Sequence, residues 1–257
     1  MSGSMLRATV FSLGVVLMAC GGVAHAADAP LPDGRVFLPP PPAAGSLAQQ
    51  DDERDFARTR TQVGTPRWAL AQNDANLAAD HLVRDFSCAA GFSLDPAHLP
   101  RLVALIERVG KDIEPRVTEQ KAYWKRLRPF VGGQAAICTP DRAHLEQSYA
   151  YPSGHTTYGW LVASLLADLL PDRATPILER GRVFGESRIV CGVHWKSDVQ
   201  AGFMNGAGLF AALQGQSWFV QAMAQARAEL QAARQQAGAP DGARCTTEHQ
   251  AAAASVL

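Results

Sequence analysis

Nowhere in the 257 residues does an apolar–polar alternation persist for more than three or four positions. That removes the half-buried strand as a building block. Apolar side chains recur instead at helical spacing. Trp68, Leu70, Ala71, Leu77, Ala78 and Leu82 form one such series, and Leu102, Leu105, Ile106 and Val109 another. The length is enough for one sizeable domain with its own core. The expected fold class is all-α, a single-domain helical bundle, with any site lying between helices.

Local signals place the helices. Ser46 to Gln49 fits a capping box, with a helix to about Thr61. Thr65 followed by Pro66 starts a second, running to about Phe86, and Gly91 to Asp95 breaks the chain. Leu99 to Leu127 reads as mostly helical, with Gly110 or Pro115 as places where it would split. Val131 to Tyr151 reads as a long loop, the kind of segment that often carries function. Further helices are expected at His155–Leu170, about Ala174–Gly185, Trp195–Leu213 and Trp218–Gln236. The His155–Leu170 run is about sixteen residues long and contains Asp168, so it suits a core helix and not a bilayer span. Gly202, Gly206 and Gly208 permit close helix contact. Residues 27–45, rich in Pro and Ala, should run extended over the surface; the domain proper is 46–237, and 238–257 is a partly disordered tail, without order after Cys245.

The polar residues that do not fit an amphipathic pattern fall into three clusters. The densest is Ser187-Arg188-Ile189-Val190-Cys191-Gly192-Val193-His194-Trp195-Lys196-Ser197-Asp198. With a helix from Trp195, His194 and Asp198 share a face, and the carboxylate can hold one imidazole nitrogen and free the other as nucleophile or base. Arg188 offers a planar fork of donors for an oxyanion. The second cluster, Pro152-Ser153-Gly154-His155, opens a helix, where free N–H groups and the dipole suit an anion. In the third, Lys121 and Arg128 lie seven apart before Pro129, so on a continuous helix they point the same way to within about 20 degrees. Taken singly, each of these residues is as easily a capping group, an ion pair or a buried imidazole. Their joint order is what carries weight.

That order, Lys-x6-Arg-Pro, then Pro-Ser-Gly-His, then Ser-Arg-x5-His-x3-Asp, resembles the phosphatidic acid phosphatase type 2 superfamily, which also contains the vanadium haloperoxidases. Leu38-Pro39-Pro40-Pro41-Pro42, Gly64-Thr65-Pro66-Arg67-Trp68 and Cys191-Gly192-Val193-His194-Trp195 make it most similar to the bacterial class A non-specific acid phosphatases, over roughly residues 30 to 235. The resemblance implies hydrolysis of phosphomonoesters through a phosphohistidine. His194 would be the nucleophile, oriented by Asp198, and His155 the acid that protonates the leaving group and then the base that activates water. Lys121, Arg128, Ser153, Gly154 and Arg188 would bind the phosphoryl group. His144, Tyr149 and Tyr151 would rim the pocket. No cofactor is expected, and no carboxylate–histidine grouping suggests a metal, so the reaction should survive chelators and be inhibited by vanadate. Phosphoryl transfer to an alcohol, vanadate-dependent halide oxidation and lipid dephosphorylation use the same kind of pocket. A periplasmic oxyanion-binding protein without turnover is the non-enzyme alternative. The family also suggests homo-oligomers.

Met1 to Ala26 reads as a secretory leader: Arg7, an apolar stretch Ala8–Ala19, and the small-x-small signal Ala24-His25-Ala26. The expected location is periplasmic or secreted, with lipid anchoring at Cys20 as the rival. Four thiols then remain, Cys88, Cys138, Cys191 and Cys245, and an even number in an exported chain suggests two disulfides in one of three pairings. The resemblance brings Cys138 and Cys191 together at the site and implies Cys138–Cys191 with Cys88–Cys245. Lys+Arg and Asp+Glu are both 24. No basic excess argues for a nucleic-acid polymer or an anionic membrane, and small phosphomonoesters are the expected partners.

Overall fold

Three hydroxyls turn the chain into helices. In a computed structural model, which describes residues 29–257, the Ser46, Thr65 and Ser153 oxygens accept the N–H groups of Gln49, Trp68 and Thr156 at 3.2–3.3 Å. The leader read at 1–26, its cleavage signal and Cys20 lie outside the described residues. The helices in order are α1 (Gly34–Phe37), α2 (Leu47–Thr59), α3 (Pro66–Asn73), α4 (Ala79–Asp85), α5 (Ser87–Ala90) and α6 (Pro100–Trp124), then α7 (Arg142–Glu146), α8 (Gly154–Leu169), α9 (Ala174–Val190), α10 (Lys196–Leu213), α11 (Ser217–Arg234) and α12 (Gly242–Ala253). Among the described residues there is no strand, and no helix is long and apolar enough to cross a membrane.

The apolar helix α8 is central, clamped between α9 and α10, with α6 and α11 closing another side. Leu161, Val162, Leu165 and Leu166 pack there with Leu102, Ile106, Phe184, Leu209, Phe219 and Leu230. Glycines on α10 set how close it comes. A Cβ on Gly202 would lie 2.9 Å from the Ser153 carbonyl, and one on Gly206 2.6 Å from the Thr157 carbonyl. The start of α8 is therefore pressed against α10, and the Ser153 N–H donates to the Asp198 carbonyl at 3.0 Å. A second apolar cluster of Trp68, Phe130, Val190, Val193 and Val199 surrounds Cys138–Cys191. The other disulfide is Cys88–Cys245, the pairing the resemblance implied.

Several expected boundaries move, each for a physical reason. The helix expected from Pro66 to Phe86 is two helices, because the buried Asp74 takes hydrogen bonds from Arg180 and Ser187 instead of extending α3. The expected split of α6 does not occur: it runs 25 residues through both Gly110 and Pro115. Gly110 is there for packing, since a Cβ would lie 3.0 Å from the Tyr158 ring. α9 continues past Gly185 to Val190, and so holds Arg188 in its last turn. The Pro-rich segment contains the short α1, and the 131–151 loop contains α7. The tail, expected to lose order after Cys245, forms α12 on α9. Arg244 and Glu248 of α12 join a buried ion network, with Arg180 Nε 3.2 Å and Arg244 Nε 3.0 Å from the Glu248 carboxylate. That network and the disulfide hold the tail to the domain, which therefore extends beyond residue 237.

Candidate active site

Lys121 lies in the last turn of α6. Arg128 was expected to follow on the same helix face, but α6 ends at Trp124 and the chain reverses through Lys125 at φ 52. The reversal brings Arg128 back to the level of Lys121. Arg128 is fixed by the carbonyls of Ser148 (2.8 Å) and Val193 (2.9 Å), and Lys121 Nζ donates to the Tyr149 carbonyl at 3.0 Å. Arg188 comes from the end of α9 and is 2% exposed. Its Nε and Nη1 have no hydrogen-bond partner.

His194 precedes α10. The expectation that it shares a helix face with Asp198 is therefore corrected: the two meet across a helix cap. One Asp198 oxygen accepts the Trp195 N–H at 2.8 Å and lies 3.3 Å from His194 Nδ1. A carboxylate can only accept, so Nδ1 carries the proton. Nε2 is left with its lone pair, which faces Arg128 Nη1 at 3.1 Å. His155, in the first turn of α8, directs Nε2 at the Ala75 carbonyl, 3.1 Å away in the break between α3 and α4. There Nε2 must donate, and Nδ1 is the basic nitrogen.

Lys121, Arg128, Gly154, His155, Arg188 and His194 all line one cavity of about 920 Å3. His144 lines it too. Tyr149 and Tyr151 do not, contrary to expectation: Tyr149 contributes its carbonyl, and the buried Tyr151 hydroxyl donates to Pro39. Ser153 also stays off the cavity. Its hydroxyl caps α8 and accepts from Thr156 Oγ1 at 2.9 Å. It is Gly154, not Ser153, that brings the helix start to the cavity wall.

Burial weakens every cation here, and repulsion between neighbours adds to it for Arg188 and Lys121. Desolvation, then Arg128, pulls Arg188 down to about 9, and desolvation holds Arg128 near 10. Lys121 falls to about 7 through desolvation, Arg128 and Arg188. Both imidazoles sit well below the usual histidine range: burial is the first cause, followed by Arg188 for His155 and Arg128 for His194. An anion in the cavity would oppose the repulsion among these cations.

The PAP2 superfamily model matches residues 112–221, from α6 to α11, which includes all of these side chains. The chain is 47% identical over 220 residues to an acid phosphatase of Zymomonas mobilis subsp. mobilis, covering 85% of this chain and 83% of that one. It is 37% identical over 196 residues to a non-specific acid phosphatase of Salmonella typhimurium (76% and 78% covered), and 34% over 200 residues to one of Providencia stuartii (77% and 81%). The chain belongs to the PAP2 superfamily. Within it, these relatives put the chain among the bacterial class A acid phosphatases.

One charged residue of this PAP2 site is absent from the sequence reading. Arg126, almost fully buried, donates to Asp198 and to Asp52 at 2.6 Å each, and to Ser197 Oγ at 2.6 Å. It stands behind the His194–Asp198 pair, off the cavity. Burial raises the Asp198 carboxyl to about 6, and Arg126 is the main influence opposing that rise. In the sequence Arg126 is one more basic residue between Lys121 and Arg128; nothing in the spacing reveals two carboxylates from distant segments closing on it. Replacing it with Ala should lift Asp198 further, so that the carboxylate protonates at higher pH and releases His194 Nδ1. The expected result is a loss of roughly 10–100-fold in kcat, with the acid limb of the pH–rate profile moved to higher pH and partial recovery in Arg126→Lys. An unmoved limb in the Ala variant would reduce Arg126 to a structural ion pair.

Proposed function

We propose that this protein is an exported, metal-independent acid phosphatase of broad specificity that hydrolyses phosphomonoesters through a phosphohistidine on His194. The observation that carries the reading is the convergence of Lys121, Arg128 and Arg188 on the cavity that His155 and His194 also line, with two Arg188 donors buried and unpartnered. A phosphoryl dianion supplies the missing acceptors and charge. Arg128 moves its donor from His194 Nε2 to a phosphoryl oxygen, and the freed lone pair attacks phosphorus. As the P–O bond to the alcohol breaks, His155 gives that oxygen its proton. In the second half, His155 takes a proton from water, whose oxygen displaces His194 from phosphorus. Asp198 retains the Nδ1 proton and stabilises the ring's developing positive charge. Gly154 offers its N–H at the start of α8. The PAP2 relatives, named acid phosphatases, are consistent with this chemistry.

Three fixed cations take the part a metal would play, and among the described residues no group of three or more His, Cys, Asp or Glu side chains could hold one. Hydrolysis of p-nitrophenyl phosphate should therefore continue in EDTA and stop with vanadate. Acid quench during turnover of labelled substrate should leave label on His194. Tight phosphate binding with neither turnover nor label would identify a binding protein instead.

A further inference from the structure

The cavity is much larger than a phosphoryl group requires. About 920 Å3 is within the range of pockets that enclose a whole drug-sized ligand, roughly 300–1,000 Å3. The buried, unpartnered Arg188 fixes one end as the phosphoryl end. The remainder is the space for the alcohol, and one stripe of α6 forms its wall. Glu107, Lys111, Glu114, Thr118 and Lys121 all line the cavity, at the alternating spacings of four and three that keep helix positions on one face. At 1.5 Å per residue, Glu114 lies about 10 Å along the axis from Lys121, Lys111 about 15 Å and Glu107 about 21 Å.

The first charge beyond the phosphoryl group on this wall is therefore the carboxylate of Glu114. It has no ion-pair partner among the described residues, and neither do Lys111 and Glu107 farther along the stripe, whereas the α6 charges off the cavity include the pairs Arg116 with Glu119 at 3.2 Å and Arg108 with Asp112 at 3.9 Å. Asp80, which lines the cavity from α4, is paired with Arg84 at 2.5 Å. Val117 and Thr118 lie between Glu114 and Lys121 in the sequence of α6, and apolar groups line the cavity beside and beyond Glu114, with Ile113 next to it and the Tyr158 ring packed on Gly110.

We propose that Glu114 is a specificity-determining residue, selecting phosphomonoesters whose alcohol carries an apolar body and a positive charge, and disfavouring those with a second anionic group. The inference rests on the phosphatase reading. Its test compares three aryl phosphates with para ethyl, 2-aminoethyl and 2-carboxyethyl groups; two methylenes insulate the ester oxygen from the charge. Exposed charge pairs have modest effects, but Glu114 attracts one substrate and repels the other, so kcat/KM should favour the amine over the acid by about three- to tenfold at low salt. The ratio should fall toward one at 1 M salt, where screening acts within about 3 Å. Glu114→Gln should abolish the preference while leaving kcat/KM for the ethyl compound unchanged, which also shows that the variant folds. Glu107→Gln should leave the preference in place. Equal rates for amine and acid in the unaltered protein, or a preference that survives Glu114→Gln, would overturn the proposal. A preference lost in Glu107→Gln instead would overturn the assignment to Glu114. Failure to hydrolyse any of the three would overturn the phosphatase reading, a separate outcome.

Discussion

His194→Ala should reduce turnover of p-nitrophenyl phosphate to background, a loss on the order of 10⁴–10⁶-fold as for other enzymes deprived of a nucleophile. The variant should also take no label on acid quench. The reason reaches beyond the loss of a bond-forming atom. An acid phosphatase that attacks through histidine faces a conflict, since an ordinary imidazole, with a pKa of about 6.5, is protonated and inert in acid. Here burial and the charges of Arg128, Lys121 and Arg188 keep the ring neutral well below that range, and Arg128 aligns with the lone pair that attacks. On the proposed mechanism the same cations would bind the substrate and keep the nucleophile unprotonated. His155 serves as the contrast. As the proposed acid it matters most when the leaving oxygen is strongly basic. His155→Ala should lose roughly 10²–10⁴-fold on alkyl phosphates. On p-nitrophenyl phosphate it should instead accumulate labelled enzyme, because only the water step then needs it. Equal losses on both substrates, with no label accumulating, would remove His155 from proton transfer.

That these residues would gather at one place was legible in the sequence for a specific reason. Lys121, Arg128, Gly154, His155, Arg188, His194 and Asp198 lie in three short segments whose order and internal spacing are visible in one dimension. The helices were legible where apolar periodicity was long, as in α6, α8 and α10. What spacing could not give is how the segments meet. Arg128 arrives by a left-handed turn at Lys125 and not by helical continuation. Asp198 reaches His194 as a cap. The Ala75 carbonyl that orients His155 exists because buried Asp74 ends α3. The order of α12 depends on charges and a thiol from α4, α5 and α9. Each of these involves a partner distant along the chain, and no local pattern carries that information.

Arg188→Met should separate stability from function. Arg188 has the largest side chain among the fully buried residues, yet two of its nitrogens lack acceptors. Leaving buried donors unsatisfied costs about 1–3 kcal/mol, and more for a charged group. Burial and Arg128 already pull its pKa down to about 9, a sign of how poorly the free protein accommodates the charge. Methionine fills a similar channel without charge or donors. The variant should therefore melt higher than the unaltered protein by several degrees, since about 1 kcal/mol is worth roughly 2–4 °C at this size. Its kcat/KM should fall on the order of 10²–10³-fold, the usual effect of losing one preorganised donor to a developing oxyanion. Vanadate or phosphate should raise the melting temperature of the unaltered protein and do much less for Arg188→Met, because the anion is what relieves the buried guanidinium. A variant that melts lower would show that Arg188 has acceptors in the free protein. One that retains normal turnover would take Arg188 out of the phosphoryl site. The expected combination, a more stable protein with little activity, would show that this fold sustains an unfavourable arrangement of charge whose only compensation is the substrate.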